Sequence, residues 1–435
     1  MKTLIAMRSP GLFFYSLIFP FILQAARLLG IFFPGLGKFF RLRVGLLEEL
    51  EQKLSPGKTA APRLWVHAAS VGEFEQARPV ITALKEKYPG TSVFVSFFSD
   101  SGFNARKHYH DAAAVFYLPT DTRSNARRLM TMLDPDILLL MRYDFWPNHL
   151  LEAKKHGTRL VLAAAVLQSG SQYLHPLLKG FYRDIFSLFD RIWTVSDKDT
   201  TAFRTVFNCE QAETAGDPRF DQVVRRSMDK GNIMRFRPFF ENRTVLVAGS
   251  IWEKDEELLI PAWKKLEKKP ALILVPHKVD IANIGRLLSF LDRFDIPFIL
   301  ASALDSSFEP DHAVLVIDET GYLAELYSLA SFAYVGGGFG VNVHNTLEPA
   351  VHGIPVLFGP RIHNSPEAEA LCNAGGATIA ENGQQLYEKL ETFMIDKPGR
   401  KKAGNASARF IDERRGATDL IENDIARLLF RPPES

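Results

Sequence analysis

The feature that most constrains this chain is an alternation, run through twice, of short continuous apolar segments with helical stretches. In the first series RLWVHA (63–68), SVFVSFF (92–98), AVFYLP (114–119), DILLLM (136–141), RLVLAAA (159–165) and RIWTV (191–195) read as strands. Helical segments such as Glu73–Tyr88 and Asn125–Met132 lie between them. The second series is TVLVAG (244–249), ALILVP (271–276), PFIL (297–300), AVLVID (313–318), FAYVGG (332–337) and PVLFG (355–359). Segments apolar at every position, and not at every second one, suit parallel strands covered on both faces. Each series therefore predicts a doubly wound α/β unit. A more polar stretch from 223 to 242 separates the two and reads as a linker.

Ahead of the first strand, Gly11 to Phe33 is apolar apart from Gln24 and Arg27, with Pro20 in its middle. A bilayer core needs ~20 helical residues, so this run is long enough to cross. Arg27 would then lie inside at a cost of ~2.5–3.5 kcal/mol. Beyond Pro34, the cations Lys38, Arg41 and Arg43 flank Phe39, Phe40 and Leu42, which suits a helix in or dipping into an anionic leaflet. The apolar run is too long for a cleavable signal peptide, and no A-x-A site follows it. Membrane contact is expected of residues 1–50, by spanning or by lying in the surface; a buried hydrophobic hairpin is the alternative. Charge excludes another partner class: 52 basic against 50 acidic residues leave a net +2, with none of the excess that nucleic acid demands. Cys209 and Cys372 have no CxxC spacing and read as buried thiols of a reducing compartment.

Ligands of open α/β sheets bind outside the carboxyl ends of the strands, so motifs that follow strands carry most weight. HAASVGEFE (67–75) makes a tight strand-to-helix turn through Ser70, Val71 and Gly72, with Glu73 at the helix start. The helix N-terminus favours an ionised Glu73, placed where a base for a hydroxyl acceptor would sit; a purely structural helix-start charge is the other reading. GGGFGVNVHNTLEPAVHGIPVLFGP (336–360) also follows a strand. Gly336, Gly337, Gly338 and Gly340 would let backbone N–H groups approach a phosphate. The spacing is neither GxGxxG nor a Walker A loop, which disfavours dehydrogenases and P-loop enzymes. His344, Asn345, Thr346 and Glu348 surround a helix start, where a Glu can accept from both hydroxyls of a ribose. Gly249 and Ser250 end one strand of the second series, and Pro276, His277 and Lys278 end another. These are candidates to meet a phosphate or a base edge. In GDPRFD (216–221), Arg219 is expected to point into a cleft between the units or to serve as a salt-bridge residue.

Together these strings resemble the Kdo (3-deoxy-D-manno-octulosonic acid) transferases, glycosyltransferase family 30. The likeness runs from the apolar N-terminus through HAASVGE, DFWPN (144–148), GDPRFD, PHK and HNTLEPA…GIPVLFGP. It implies the GT-B plan: two Rossmann-like domains facing a cleft, with an N-terminal membrane-anchoring helical segment. Residues 1–50 would be that segment, 51–222 the acceptor domain and 223–435 the donor domain. Glu73 would be the catalytic base. The donor site would comprise Arg219, Gly249, Ser250, Pro276, His277, Lys278, Gly336 to Gly338, Asn345, Thr346 and Glu348. Ser70, Gly72 and Asp144 would contact the acceptor. Two motifs depart from the family: M-E-x-E-x-W-P-N reads MRYDFWPN, with Arg142 and Asp144, and N-A-R-L-S reads Ala164 to Gln168, with Val166 in place of Arg. Both lie on the acceptor side.

The resemblance implies inverting transfer of Kdo from CMP-Kdo to the 6′-hydroxyl of a lipid A precursor, at the cytoplasmic face of a bacterial inner membrane. No cofactor or metal is expected, because CMP is a single-phosphate leaving group and no DxD or His/Asp cluster is present. Positive charge from Arg219 and Lys278, with backbone N–H groups, would stabilise the leaving phosphate. Two alternatives stay open: a UDP-sugar lipid glycosyltransferase, and a non-catalytic nucleotide- or glycolipid-binding descendant of the fold.

Overall fold

A computed structural model describes residues 9–54, 61–168, 170–229 and 231–430. The first eight residues of the expected membrane segment lie outside that set. The chain forms two compact units, divided between Gln222 and Val223 and again after Arg414.

The first unit opens with three helices, α1 (Pro10–Leu29), α2 (Pro34–Arg41) and α3 (Leu46–Lys53). Seven strands follow: β1 (Arg63–Ala68), β2 (Ser92–Phe97), β3 (Ala114–Tyr117), β4 (Ile137–Met141), β5 (Arg159–Ala165), β6 (Arg191–Thr194) and β7 (Ala212–Thr214). They pair in parallel in the order β3-β2-β1-β4-β5-β6-β7. Strand β1 shows why its sequence is apolar throughout. Leu64, Val66 and Ala68 pack under helix α4 (Val71–Lys87) with Phe74 and Ile81, while Trp65 joins a separate core on the opposite face.

The second unit repeats the plan with β8 (Val245–Ile251), β9 (Ala271–Pro276), β10 (Phe298–Leu300), β11 (Val314–Val316), β12 (Phe332–Val335), β13 (Val356–Phe358) and β14 (Ala377–Ile379). Their order is β10-β11-β9-β8-β12-β13-β14, again all parallel. In each sheet the strand order reverses beside the unit's first strand, between β1 and β4 and between β8 and β12. Such switch points open a crevice at the strand ends.

Two parts of the sequence reading are corrected. The polar stretch 223–242 is no open linker: helices Arg219–Met228 and Arg237–Phe240 occupy much of it, and Ile233, Phe236 and Phe240 are buried in the second unit's core. The C-terminal helix Ala417–Phe430, counted with everything after 222 in the second domain though able to close back onto the first, belongs to the first unit. Ile421 and Ile425 pack with Phe74 and Ile81, and Trp193 Nε1 donates to Asp424 at 3.1 Å. Asp221 accepts from the N–H groups of Gly416 at 2.6 Å and Thr418 at 2.8 Å, which satisfies donors at that helix's start.

Helix α1 lies along the first unit by one narrow stripe. Ser9 caps it and donates to Asp184 at 2.5 Å, Tyr15 donates to Asp121 at 3.0 Å, and Ser16 donates to Asn148 at 2.6 Å. Leu12 is buried on the same stripe, and Phe19 meets Trp146. The rest of the helix presents Phe13, Phe14, Leu17, Ile18, Phe21 and Ile22, and Ile31, Phe32 and Phe33 extend the patch; all nine are exposed. It is long and apolar enough to cross a membrane by length and composition.

Candidate functional site

In the first unit the predicted residues gather at the switch point. Strand β1 delivers Ser70, which caps α4 by accepting from the Glu73 N–H at 3.4 Å, while the Glu73 carboxylate accepts from the Ala69 N–H. This reciprocal cap fixes the carboxyl at the helix start. Its titration runs opposite to the expectation from the helix N-terminus. Burial pushes Glu73 above the usual carboxylate range, outweighing the Ala69 N–H, His67 and Arg142, which favour the ionised form; Asp144 adds to the rise. A carboxylate so shifted is a better proton acceptor near neutral pH.

Asp144 belongs to the turn after β4, neighbour of β1. It accepts from His67 Nε2 at 2.8 Å, while His67 Nδ1 meets the Ser96 hydroxyl at 2.8 Å. Ser96 also accepts from Trp65 Nε1 at 2.8 Å, so Asp144 hangs from a buried chain of partners reaching across β1 and β2. Gly72 is exposed, and a Cβ there would meet only Ser70 Oγ, at 3.9 Å. Packing therefore does not demand glycine at 72.

Arg219 is a salt-bridge residue: its guanidinium pairs with the buried Asp217 at 2.8 Å. Asp217 also accepts from Gln76 Nε2 at 3.0 Å, and Gln76 accepts from Arg142 Nε at 2.7 Å. Burial pushes Asp217 up, but Arg219 and Arg142 together outweigh it and hold the carboxyl below its ordinary value. Gln76 and Asp217 went unnoticed in the sequence because neither stands out until α4 and the 216–221 turn are brought together.

In the second unit, the predicted residues lie at the ends of β8, β9 and β12. Glycine there serves close packing. A Cβ on Gly249 would lie 2.0 Å from the Tyr327 hydroxyl, on Gly336 2.3 Å from the Ser250 carbonyl, and on Gly338 2.6 Å from Gly359 N. Gly337 has φ +92° and would place a Cβ 2.1 Å from the Asn342 carbonyl. Gly336 N–H donates to Gly249 O at 2.9 Å and Gly337 N–H to Asp255 at 2.8 Å. These two N–H groups are not presented to a phosphate, contrary to the expectation for the glycine run, because the protein itself consumes them. Ser250 stands in the left-handed region, φ +53°, where β8 shifts register against β9.

Pro276 is buried, and His277 is tied to β8 by its N–H donating to Ile251 O at 2.9 Å. Its ring stacks on both Trp252, at 4.5 Å, and His344, at 4.4 Å. Trp252 Nε1 donates to His344 Nε2 at 2.7 Å, so the two rings form a hydrogen-bonded pair under His277. Burial, with His277 alongside, lowers His344 to about 4, and it is neutral at pH 7. Lys278 places its ammonium 5.5 Å from the Trp252 ring centroid. Trp252 was missed by sequence; its signal is an aromatic directly after a strand end.

Asn345 Oδ1 accepts from the Leu347 N–H at 3.1 Å, Thr346 is buried, and Glu348 is 3.6 Å from Arg226. The first turn of helix Glu253–Lys264 carries Glu253, Asp255 and Glu256, which makes it a poor phosphate site. Asp255 is instead a brace, accepting from Tyr334 at 2.7 Å and from the Trp252 N–H at 2.9 Å.

Residues 40–222 match the family described as 3-deoxy-D-manno-octulosonic-acid transferase (kdotransferase). The 3-deoxy-D-manno-octulosonic acid transferase of Chlamydophila psittaci is 27% identical over 421 residues, covering 95% of each chain. That of Haemophilus influenzae is 25% identical over 82% of this chain and 85% of its own. In three dimensions the chain is similar to the UDP-GlcNAc 2-epimerase of Neisseria meningitidis, with a TM-score of 0.58, 16% identity, and coverage of 84% of this chain and 100% of that one. This likeness supports the GT-B fold of two Rossmann-like units and nothing finer. By sequence along nearly its whole length, the chain is similar to the Kdo transferases.

Proposed function

We propose that this glycosyltransferase moves Kdo from CMP-Kdo to the 6′-hydroxyl of a lipid A precursor, with inversion, at the cytoplasmic face of an inner membrane. The observation that carries the reading is Glu73: a half-buried carboxyl, fixed by its own cap at the β1–β4 switch point and shifted toward stronger proton affinity. It takes the proton of the acceptor hydroxyl as that oxygen attacks the anomeric carbon, and CMP departs. Gly72 leaves the approach to Glu73 open, and Asp144 accepts a hydrogen bond from the sugar. The donor's cytidine and phosphate are assigned to the second unit. Lys278 supplies positive charge there, the Trp252–His277–His344 stack offers a neutral aromatic surface, and Asn345 and Glu348 take the ribose. Arg219, held by Asp217, adds positive charge for the leaving phosphate. The reaction needs no metal ion.

Helix α1 supports monotopic membrane contact over spanning. Its polar stripe is bonded to Asp184, Asp121 and Asn148, and a crossing helix would have to break all three contacts. Lying in the interface it keeps them and buries the exposed apolar side, each large side chain contributing ~1.5–3 kcal/mol when fully covered. Arg27 and Arg41 then meet anionic headgroups, while Lys38 pairs with Asp100.

The test is transfer in detergent with CMP-Kdo and tetraacyl lipid A precursor, without added metal, for the native chain and Glu73→Ala. Release of CMP with a glycolipid product, lost in Glu73→Ala, is the expected result. CMP binding without turnover by the native chain would overturn the enzymatic reading; turnover surviving the substitution would remove Glu73 as the base.

A further inference from the structure

Beside the Asp144 carboxylate lies a small pocket whose polar walls the protein does not satisfy by itself. Asp144, His67, Trp146 and His149 line it, and Trp65 with four leucines makes up the rest. It leaves about 10 Å³ for the centre of a water molecule, on the scale that one water needs. Trp146 and His149 come from the start of helix Pro147–His156, directly after the Asp144 turn. Their indole Nε1 and imidazole Nε2 are both shielded from solvent, and neither has a hydrogen-bond partner among the described residues. The His149 side chain is only 2% exposed. Two such groups lining one pocket are uncommon, because a buried polar atom without a partner costs stability.

The hydrogen bonds already made fix what each group has left to offer. His149 Nδ1 donates to the buried Asp121 at 2.6 Å, so the neutral ring keeps Nε2 as an acceptor. Asp121 also accepts from Tyr15 of α1 at 3.0 Å, which ties His149 to the exposed apolar helix. The Trp146 indole can only donate. Asp144 Oδ2 accepts from His67 Nε2 at 2.8 Å, and His67 is its one hydrogen-bond partner among the described residues. The Asp144 side chain is 19% exposed, which leaves part of the carboxylate open to a substrate. A carboxylate held at one oxygen alone can swing about that bond. One water that accepts from Trp146 and donates to His149 and Asp144 makes about three hydrogen bonds, the usual number for a buried water, and supplies the second hold. Resting on the reading of Asp144 as an acceptor contact, we propose that the pocket is a structural-water site. Trp146 and His149 are then positioning residues that fix the Asp144 carboxylate toward the acceptor sugar through that water.

The experiment uses the full chain in detergent, with His149→Asn and His149→Gln. An Asn amide nitrogen stands where Nδ1 was and keeps the bond to Asp121; a Gln amide oxygen stands where Nε2 was and keeps the bond to the water. A crystal structure of the native chain is expected to show one ordered water within about 2.7–3.2 Å of Trp146 Nε1, His149 Nε2 and an Asp144 oxygen, and His149→Asn to lose it. A direct His149–Asp144 bond, or no density in the pocket, overturns the proposal. In transfer assays His149→Asn is expected to raise the acceptor KM about 3- to 10-fold, the weight of one hydrogen bond, with kcat, donor KM and unfolding midpoint close to native. His149→Gln is expected to reverse the pattern: acceptor KM near native, and a lowered midpoint because Asp121 loses a donor. An acceptor KM that follows the midpoint in both variants would reduce His149 to a structural residue and overturn the proposal. If the native chain transfers nothing, the enzymatic reading fails, and titration of the lipid A precursor into each protein takes the place of KM. Weaker binding to His149→Asn with native-like binding to His149→Gln supports the proposal, and equal binding to all three overturns it.

Discussion

The two units carry the same sheet plan and build their strand-end sites from opposite materials. At the β1–β4 switch point the first unit sets out ionisable side chains: Glu73, Asp144, His67, Arg142 and the Asp217–Arg219 pair. At the β8–β12 switch point the second unit offers glycines packed against backbone, with a neutral aromatic stack beside them. Charged side chains dominate the strand ends of one unit, and close backbone packing those of the other. Substitutions should therefore fail differently: in the first unit chemistry goes while the fold stays, and in the second the fold goes first.

Glu73→Gln breaks the first half of that comparison most strongly. Loss of a general base lowers kcat ~10²–10⁴-fold. Stability should move the other way. The Glu73 carboxyl is shifted up, so the folded state holds its proton more tightly than the unfolded chain. The stability this group contributes is complete below the unfolded pKa and is lost as pH rises through the folded one. At neutral pH the ionised Glu73 is a cost, and Glu73→Gln should melt at or above the native temperature. A lower melting temperature would show that the reciprocal cap with Ala69 matters more than burial.

The glycines sharpen the second half. Gly337→Ala places a Cβ 2.1 Å from the Asn342 carbonyl at φ +92° and should destabilise the second unit by about 3 kcal/mol or more. Gly72→Ala meets only Ser70 Oγ at 3.9 Å and gains helix propensity, so it should leave the melting temperature unchanged or raise it by the equivalent of ~0.5–1 kcal/mol. Its cost should appear in the acceptor KM. Equal melting temperatures for the two variants would erase the distinction between a packing glycine and an access glycine.

The pH profile gives a smaller separation. Because Glu73 must be ionised to accept a proton, kcat/KM falls as pH drops through its raised pKa. His344, lowered to about 4, and His277, also lowered by burial, are neutral near pH 7, so the donor KM should stay flat over the upper part of that limb. The linkage of His344 has the sign of a depressed group: stability is present above the unfolded value and is lost as pH falls toward about 4. Acid unfolding should therefore begin in the second unit, and a donor KM that tracks the acid limb would count against this division.

Legibility in the sequence followed the same division. The long inner strands were readable because both faces are buried, as the Leu64/Trp65/Val66 alternation between two cores shows. Strands β7 and β14 escaped because three-residue edge strands such as AET and ATI have no apolar run; pairing with β6 and β13 creates them. The placement of Glu73 and Asp144 beside the ends of β1 and β4 could be read from motif position alone. Gln76 and Asp217 could not, since what joins them is a contact between residues 141 apart. The glycine run was visible as a loop, but the use of the Gly336 and Gly337 N–H groups was not, because a sequence does not say whether an N–H faces a ligand or the Asp255 carboxylate.

The smallest test concerns Ala164, at the end of β5, where the family wording has Asn. It is fully buried with φ +52°, beside the register shift between β5 and β6. Asn enters the left-handed region readily and Ala does not, so strain of ~1–2 kcal/mol is stored there. Ala164→Gly releases that strain, loses a buried methyl worth ~0.8 kcal/mol, and adds ~0.4–1 kcal/mol of unfolded-state entropy. The sum is near zero. Ala163, one residue earlier, is equally buried, pairs with Met141 and has no left-handed φ, so Ala163→Gly has the two losses without the release. The pair should differ by about 1–2 kcal/mol in urea unfolding, with Ala164→Gly the more stable. A difference of zero would mean that β5 holds no strain at this turn. Strain at the strand ends would then rest on Arg142 in the first unit, φ +60°, and Ser250 in the second, φ +53°.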